Sequence, residues 1–495
     1  MKTYLSILTN PLLFILFLSP LLLMAGQKTS RKNEIIIEGK TDSAYKVDLV
    51  IASKLMDLIN KFSTSRSITI KDGRFSFHIP GLQEPTNTRL IFYYSSGKRF
   101  VLDNYLAEPG DSVYIQQTKK AAAFFGRSSQ NFICQFQISQ IKRPSGITDS
   151  DKADLYKESE KKVKTIDSCY QLKKAVLDGY EGRLSERMYR LLLTEIYYEK
   201  KQSEYTLAKS YLSSSRDSIQ KSAVIRYYTD HYLSDQLDTT VSNLKLYSKF
   251  YIEYVLTKLE LDCITRFLQN PAIRLSRSDI KNAVYHEIVQ HRNNLLKQKI
   301  LTSFFAKKTV ITDSVSKQIE ETAKKITDPA LLEIITIIQR RTKGAKAFEF
   351  SLPDSKGKII RLTDFRGKVV VLDFWYTGCG ACPGMASVIK PIAKKKDSNV
   401  VFITISIDKD KKTWLESLQS GEYSSDDEIN LYTENQGDKS EIIRHYRILG
   451  YPMVIVITRL GKIYAVDPLY DFFIMSKMDR ISSLEKSIAD AMKEE

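Results

Sequence analysis

The distribution of apolar and polar residues divides the chain into three stretches with different periodicity. Residues 33–117 contain short runs that alternate apolar and polar positions, such as SITIKDGRFSFHIP at 67–80, which is typical of strands with one buried face. Asp72-Gly73, in the middle of that run, is a hairpin turn signal, so we predict a hairpin there. Further strands are predicted at Glu34–Glu38, Leu90–Tyr94, Phe100–Asn104 and 107–117, the last containing a turn at Pro109-Gly110. The pattern indicates a small antiparallel β-sandwich over residues 33–117.

From residue 118 onwards the apolar residues recur at helical spacing. Between Arg183 and Lys343 the sequence contains no glycine. Asp328-Pro329 is a helix start, because aspartate caps the first turn and proline is tolerated within it. Other helix starts are expected at Ser278-Asp279 and Thr312-Asp313. We therefore predict a helical middle domain over residues 118–345, with no period typical of a repeat array.

The last stretch changes pattern again. KVVVLDFW (368–375) and VVFITISI (400–407) are continuous apolar runs, which are typical of strands buried on both faces of a sheet. Helical segments separate these runs, so a largely parallel α/β unit is expected. MVIVI (453–457) and KIYAV (462–466) predict a closing hairpin, and a final helix is expected over 475–493. The third predicted domain spans residues 346–495, and the whole chain is predicted to be a multidomain α+β protein.

The size and charge of the chain limit its class. At 495 residues it is too long for one hydrophobic core, which favours two to four domains. The formal net charge is +17, which could favour anionic partners. However, we find no zinc-finger spacing, phosphate-binding loop or RNA-binding aromatic pattern, so nucleic-acid binding is not expected.

Residues 1–26 predict export from the cytoplasm. Met1-Lys2 precedes an apolar run from Pro11 to Ala25; its fifteen residues fit the core of a signal peptide better than a membrane span, which needs about twenty. The residues before Ala25-Gly26 fit a cleavage site poorly. Both outcomes therefore stay open: the segment is cleaved, or residues 5–26 anchor the protein in the inner membrane.

Five cysteines are few for a disulfide scaffold of this length. Cys134, Cys169 and Cys263 lie far apart in sequence, and at most one bridge can form among three thiols. We interpret them as small apolar core residues.

Cys379 and Cys382 lie in DFWYTGCGACPGM (373–385), where a buried strand is followed by a short loop and a predicted helix. A cysteine at a helix N-terminus has a stabilised thiolate. We therefore expect Cys379 to attack a substrate disulfide and Cys382 to resolve the mixed disulfide. A C-x-x-C pair can also be half of a zinc site, but the chain has no second pair and no histidines at ligand spacing, so no metal is expected.

The C-terminal stretch resembles the thioredoxin-like domain of periplasmic thiol–disulfide reductases of the TlpA/ResA type. The resemblance lies in FSLPDSKGK (350–358), LTDFRGKVVVLDFW (362–375), the C-G-A-C pair and YRILGYPMVIVI (446–457). Residues 33–117 resemble the small β domain that precedes such domains in Bacteroidota, through KDGRFSF and EPGDSVYI. The resemblance implies a thiol–disulfide oxidoreductase of the periplasm or cell envelope that needs no bound cofactor. Its expected partners are cysteine-containing envelope proteins and a membrane thiol electron donor.

The same resemblance assigns further residues. Asp373 matches the buried aspartate beneath the cysteines, and a carboxyl group with a raised pKa can move the proton of the resolving thiol. Pro452 matches a cis-proline that faces the cysteines, and the Tyr451 backbone would then pair with a substrate strand. Trp375 matches a tryptophan beside the pair, although core packing would explain it equally well.

Several departures leave the direction of electron flow open. Gly378 stands where thioredoxins usually have tryptophan, and Gly-Ala separates the cysteines. The alternatives are an envelope binding or assembly protein that uses the domain for docking, and a disulfide isomerase. A peroxidase is disfavoured, because Tyr376 occupies the position where a peroxiredoxin needs threonine or serine.

Overall fold

The computed structural model describes residues 33–51, 64–119, 121–142, 155–214, 218–233, 235, 243–268, 277–306, 313–448, 450–468 and 476–494. The apolar segment 1–26, and with it the prediction of export, lies outside these ranges. Within them, no helix combines the length and the apolar character that a membrane span requires.

The first part of the described chain consists of strands. They are β1 (Glu34–Thr41), β2 (Lys46–Ile51), β3 (Thr64–Thr69), β4 (Arg74–Pro80), β5 (Thr86–Tyr93), β6 (Arg99–Ala107), β7 (Ser112–Gln117) and β8 (Ala122–Phe125). They form two four-stranded sheets, ordered β4-β1-β7-β8 and β3-β2-β5-β6. Apolar side chains from both sheets, among them Ile37 and Phe77 from one and Leu49 and Phe92 from the other, belong to a single buried cluster. Burial of the alternating apolar positions therefore joins the two sheets.

The predicted hairpin at Asp72-Gly73 is wrong in its pairing, although the turn is present. Both residues have positive φ, 55° and 68°, and only a bridge between Lys71 and Arg74 forms across the turn. Beyond it the strands separate: β3 pairs with β2, and β4 pairs with β1. The chain crosses from one sheet to the other at this point, because β4 buries Phe75, Phe77 and Ile79 against the opposite sheet.

The β structure also extends beyond residue 117, where helix was expected. Strand β8 pairs with β7, and the following helix α1 (Ser129–Gln140) adds the Phe132 side chain to the buried cluster of the sheets. Gln135 on the same helix bonds both the N–H and the carbonyl of Leu106 in β6. The first helix therefore packs on the sheets, and its Cys134 side chain also lies in a second buried cluster with Leu177 and Leu191 of the helices that follow.

The middle of the described chain is helical. Its helices are α2 (Leu155–Asp178), α3 (Glu186–Ser214), α4 (Ser218–His231), α5 (Asn243–Tyr247), α6 (Lys249–Leu268), α7 (Arg277–Val289), α8 (Asn294–Ala306), α9 (Asp313–Lys325) and α10 (Pro329–Gln339). The predicted start at Asp328 is confirmed: its side chain accepts hydrogen bonds from the N–H groups of Ala330 and Leu331.

The last part forms an α/β unit. Its elements are β9 (Ser351–Pro353), β10 (Ile359–Arg361), β11 (Val369–Trp375), α11 (Cys382–Ala393), β12 (Val400–Ser406), α12 (Lys411–Ser420), β13 (Ile429–Tyr432), α13 (Glu441–Tyr446), β14 (Met453–Ile457), β15 (Ile463–Val466) and α14 (Lys477–Lys493). The five-stranded sheet has the order β13-β12-β11-β14-β15. Strand β11 is buried along its whole length; it runs parallel to β12 and antiparallel to β14. The predicted strands and closing hairpin of this region are confirmed.

The segment that enters this unit is paired with its sheet edge. The N–H groups of Gly344 and Ala347 donate to the carbonyls of Ile463 and Gly461, and the Ile463 N–H donates to Ala345. The outer edge of β15 is thus covered by backbone at Ile463, its first residue, which shortens the exposed edge and holds the end of the helical region against the α/β unit.

Candidate active site

The two cysteines of the C-x-x-C motif form a disulfide, with Cys379 in the loop between β11 and α11 and Cys382 at the start of α11. Their Cα atoms are 5.4 Å apart, and the residues are 3% and 1% exposed for Cys379 and Cys382. Helix α11 begins at Cys382, with Ala381 as its N-cap. Cys379 therefore precedes the helix by one turn instead of occupying its first position, and the Cys382 N–H donates to its carbonyl at 3.2 Å. The disulfide therefore lies at the N-terminus of α11.

The loop that precedes Cys379 is held by a buried aspartate from the next strand. Asp408, just beyond β12, accepts hydrogen bonds from the Thr377 N–H and from the Thr377 hydroxyl, both at 2.9 Å. It also accepts a hydrogen bond from the Ser406 hydroxyl at 2.8 Å. The Thr377 hydroxyl is 2.7 Å from that of Ser417 on α12. These contacts fix the backbone immediately before the redox pair.

An aromatic cluster surrounds the disulfide. It consists of Trp375, Trp414, Tyr423 and Tyr432 together with both cysteines. Trp375 is fully buried and stacks on Tyr423 with 4.9 Å between ring centroids. The Tyr423 hydroxyl accepts a hydrogen bond from the Gly378 N–H at 3.0 Å. Trp375 thus lies beside the pair as expected and also packs in the core.

Gly378 explains one departure from the thioredoxin pattern. Its φ is 88°, a conformation that glycine adopts at little cost and other residues rarely adopt. The positive φ sets the course of the backbone from Gly378 into Cys379.

Two tyrosines flank the pair. The Tyr451–Pro452 peptide bond is cis, and Tyr451 packs against the aromatic cluster around the disulfide. The ring of Tyr376, which is 38% exposed, meets the Tyr451 ring edge-on at 5.5 Å. The structure therefore brings Tyr451, Tyr376 and the disulfide to one region.

Asp373 is buried in the middle of β11 and is 3% exposed. One of its carboxyl oxygens, Oδ1, has no hydrogen-bond partner. Burial raises the pKa of this carboxyl group well above its ordinary value, and the negative charge of Glu428 raises it further. Val371 and Trp375, two residues to either side, face the α11 side of the sheet, and strand alternation places Asp373 on that same face.

Sequence reasoning missed the surroundings of the pair. Asp408, Tyr423 and Glu428 come from segments 29 or more residues along the chain from Cys379. A signal was available for Asp408 alone, because it directly follows the apolar run VVFITISI, where a buried strand ends. Glu428 is 7% exposed, and burial raises its pKa to about 7.

The remaining cysteines do not take part in the site. Cys134, Cys169 and Cys263 are free thiols; the first and last are buried and Cys169 is half-buried. Burial of Cys134 and Cys263 in apolar clusters agrees with their interpretation as core residues, whereas Cys169 is not a core residue. No group of three or more histidine, cysteine or acidic side chains that could hold a metal ion occurs among the residues the structure describes.

Comparisons with known proteins agree with this geometry. Residues 343–466 match the AhpC/TSA family. The thiol-disulfide oxidoreductase ResA of Bacillus subtilis (strain 168) is 29% identical over 129 residues, covering 25% of this chain and 66% of the relative. ResA of Bacillus thuringiensis subsp. konkukian (strain 97-27) is 30% identical over 121 residues, covering 24% of this chain and 66% of the relative.

Solved structures were also compared with the chain. A thiol-disulfide oxidoreductase from Bacteroides fragilis NCTC 9343 is 28% identical, with a TM-score of 0.25; the match covers 28% of this chain and 97% of that one. The family match and the ResA relatives, taken with the disulfide at the end of a buried strand, show that the C-terminal unit is similar to thiol–disulfide oxidoreductases of the TlpA/ResA type.

Proposed function

We propose that this protein is an exported thiol–disulfide oxidoreductase that exchanges disulfides with cell-envelope proteins through Cys379 and Cys382. The observation that carries the proposal is the disulfide between these residues at the N-terminus of α11, with the buried Asp373 on the same face of the sheet as α11. The β-sandwich proposed for residues 33–117, which β8 and α1 extend, and the helices that follow it up to residue 345 would present the redox domain, residues 346–495, to its partners.

The reaction consists of two thiol–disulfide exchange steps. In the reduced protein, the Cys379 thiolate attacks a substrate disulfide and forms a mixed disulfide, and one substrate sulfur leaves as a thiolate. Cys382 then loses its proton, and its thiolate attacks the Cys379 sulfur. The bond between Cys379 and the substrate breaks, the second substrate thiolate leaves, and the Cys379–Cys382 disulfide forms. Two electrons pass to the substrate, and its two thiolates take up protons.

Asp373 would accept the proton of Cys382 during the second exchange step. A buried carboxyl group with a raised pKa suits this role, because a base is most effective when its pKa lies near the working pH. Tyr451 and Pro452 would bind the substrate backbone next to the pair. Trp375 would support the loop through its stacking on Tyr423.

Reduction of envelope disulfides is the direction we favour, because the matched relatives include ResA proteins. In that direction a membrane thiol donor would return the Cys379–Cys382 disulfide to the dithiol. The proposed location is the periplasm, reached through residues 1–26. A fusion of residues 1–60 to a reporter that is active only after export tests this; activity of a cytoplasm-specific reporter instead would contradict it.

Trapping of partners tests the exchange itself. Cys382→Ser removes the resolving thiol, so mixed disulfides with Cys379 should accumulate in cells and disappear on treatment with dithiothreitol. Cys379→Ser is the matched control and should trap nothing. If the folded Cys382→Ser protein accumulates no dithiothreitol-sensitive complex, the docking-module alternative gains support.

A further inference from the structure

We propose that Glu428 is a positioning residue for proton transfer: its carboxyl group sets whether Asp373 holds a proton and so makes resolution by Cys382 dependent on pH. This inference rests on the exchange function proposed above and adds a residue that lies outside the C-x-x-C motif and its loop.

The two acids are linked by a row of residues across the sheet. Asp373 on β11 is in register with Thr404 on β12, and Thr404 is in register with Asn430 on β13. In adjacent strands, residues in register point to the same face. The Thr404 hydroxyl donates to the Asn430 side-chain oxygen at 2.7 Å. Thr404, which lies beside Asp373 on the neighbouring strand, is thus hydrogen-bonded to Asn430, and Asn430 is two residues from Glu428.

The Glu428 segment is itself held in place. The Asn430 amide group donates to the carbonyls of Glu428 and Ser425, both at 3.2 Å. The Ser425 hydroxyl donates to Glu428 Oε1 at 3.0 Å. A glutamate fixed in this way keeps its carboxyl group at a constant distance from the sheet.

The charges around the two acids define the electrostatics. The pKa of Glu428 is influenced by the charges of Lys390 on α11 and of Asp427 in its own segment. Lys390 donates hydrogen bonds to the carbonyls of Gly421 and Glu422 and makes only a secondary contribution at Glu428, where burial dominates. Among the described residues, the charge that acts on Asp373 is that of Glu428, and Asp373 Oδ1 has no donor.

Two buried acids without a strong cation cannot both ionise at little cost, because each charge disfavours the other. When Glu428 is ionised, Asp373 retains its proton and cannot receive one from Cys382. When Glu428 is protonated, the Asp373 carboxylate forms more readily. The proton moves from the Cys382 thiol to the Asp373 carboxylate, the Cys382 sulfur bonds to Cys379, and the substrate leaves as a thiolate.

The resolution step can be followed with a coloured probe. The full-length reduced protein is converted to the mixed disulfide of Cys379 with thionitrobenzoate, and release of the coloured thiolate by Cys382 is recorded by stopped flow across pH. Glu428→Gln removes the charge and keeps the shape. We expect the midpoint of its rate profile to move down by about one pH unit, so that below the wild-type midpoint release is about tenfold faster.

The control is Glu422→Gln, which removes an exposed carboxylate from the same region and should leave the profile unchanged. With Asp373→Asn in the background, Glu428→Gln should have no further effect. If Glu428→Gln does not fold, Ser425→Ala removes the donor to Glu428, favours its protonated form and should shift the midpoint in the same direction by less.

The outcomes separate the two proposals. A wild-type protein that never releases the thiolate contradicts the exchange function itself. The wild-type protein can instead release the thiolate while a folded Glu428→Gln or Ser425→Ala variant has the same pH–rate profile as the wild type. That result overturns the role of Glu428 and leaves the exchange function intact.

Discussion

Asp408→Asn is the substitution that probes most directly how the loop before Cys379, residues 376–378, is held. The Asp408 carboxylate accepts three hydrogen bonds: two from Thr377, through its N–H and its hydroxyl, and one from the Ser406 hydroxyl. Asparagine has nearly the same shape but only one acceptor oxygen and no charge. The change therefore removes the negative acceptor while leaving the packing in place.

The expected magnitude follows from these contacts. A hydrogen bond to a charged group contributes about 1.5–3 kcal/mol, and a neutral one about 0.5–1.5 kcal/mol. Asparagine can keep the bond from the Thr377 N–H as a neutral one, while the two hydroxyls must turn to accept from its amide. Across the three bonds, a loss of about 2 kcal/mol in the free energy of opening the loop is expected.

Hydrogen exchange at residues 376–378, measured by mass spectrometry of the full-length oxidised protein, reports this opening locally. A loss of about 2 kcal/mol corresponds to exchange about thirtyfold faster at the Thr377 amide. Asp410→Asn is the matched control: it removes the same charge two residues away, where Asp410 caps α12 through Thr413. Equal protection of residues 376–378 in the two variants would refute the role assigned to Asp408.

Three further predictions follow from the burial and contacts of single residues. Burial raises the pKa of Asp373, so its neutral form stabilises the fold and that stability is lost as pH rises above its ordinary pKa of about 3.9. Asp373→Asn should therefore be more stable than wild type at pH about 7 and equally stable below pH about 4, as measured by denaturant unfolding with the fluorescence of the chain's two tryptophans; a less stable variant at neutral pH would contradict the reasoning. Gly39→Ala places a methyl group 2.1 Å from the Ile115 carbonyl oxygen and should destabilise the sheets by about 1–3 kcal/mol or more, as measured by thermal unfolding; an unchanged melting temperature would show that the backbone yields. In the reduced protein, Cys379 should alkylate before Cys382 with a pKa below about 8.5, and peptide mapping that shows the opposite order would reverse their roles.

The elements that were predictable from the sequence are those whose pattern depends on local burial. Strand β11 was readable because a strand buried on both faces is apolar at every position. The start of α10 was readable because its cap is formed by Asp328, the residue immediately before it. Such signals lie within a few residues of the element that they specify.

Pairing partners and long-range contacts were not predictable in this way. The alternating pattern of 67–80 gave both strands and the turn, but a pattern records which face is buried and not which strand lies alongside. The chain therefore crosses between sheets at Asp72-Gly73, where a hairpin was expected. Likewise Thr377 meets Asp408, and Gly378 meets Tyr423, only because the sheet brings distant segments together.

The most direct test of the central claim is a stoichiometric exchange between the reduced full-length protein and a folded protein disulfide. We expect that each molecule loses two thiols, that peptide mapping finds the new disulfide between Cys379 and Cys382, and that the substrate gains two thiols. Cys134, Cys169 and Cys263 should remain free, as they are in the structure. A reduced, folded protein that leaves the substrate disulfide intact, or that loses thiols only at those three cysteines, would contradict the claim that this pair carries the electrons.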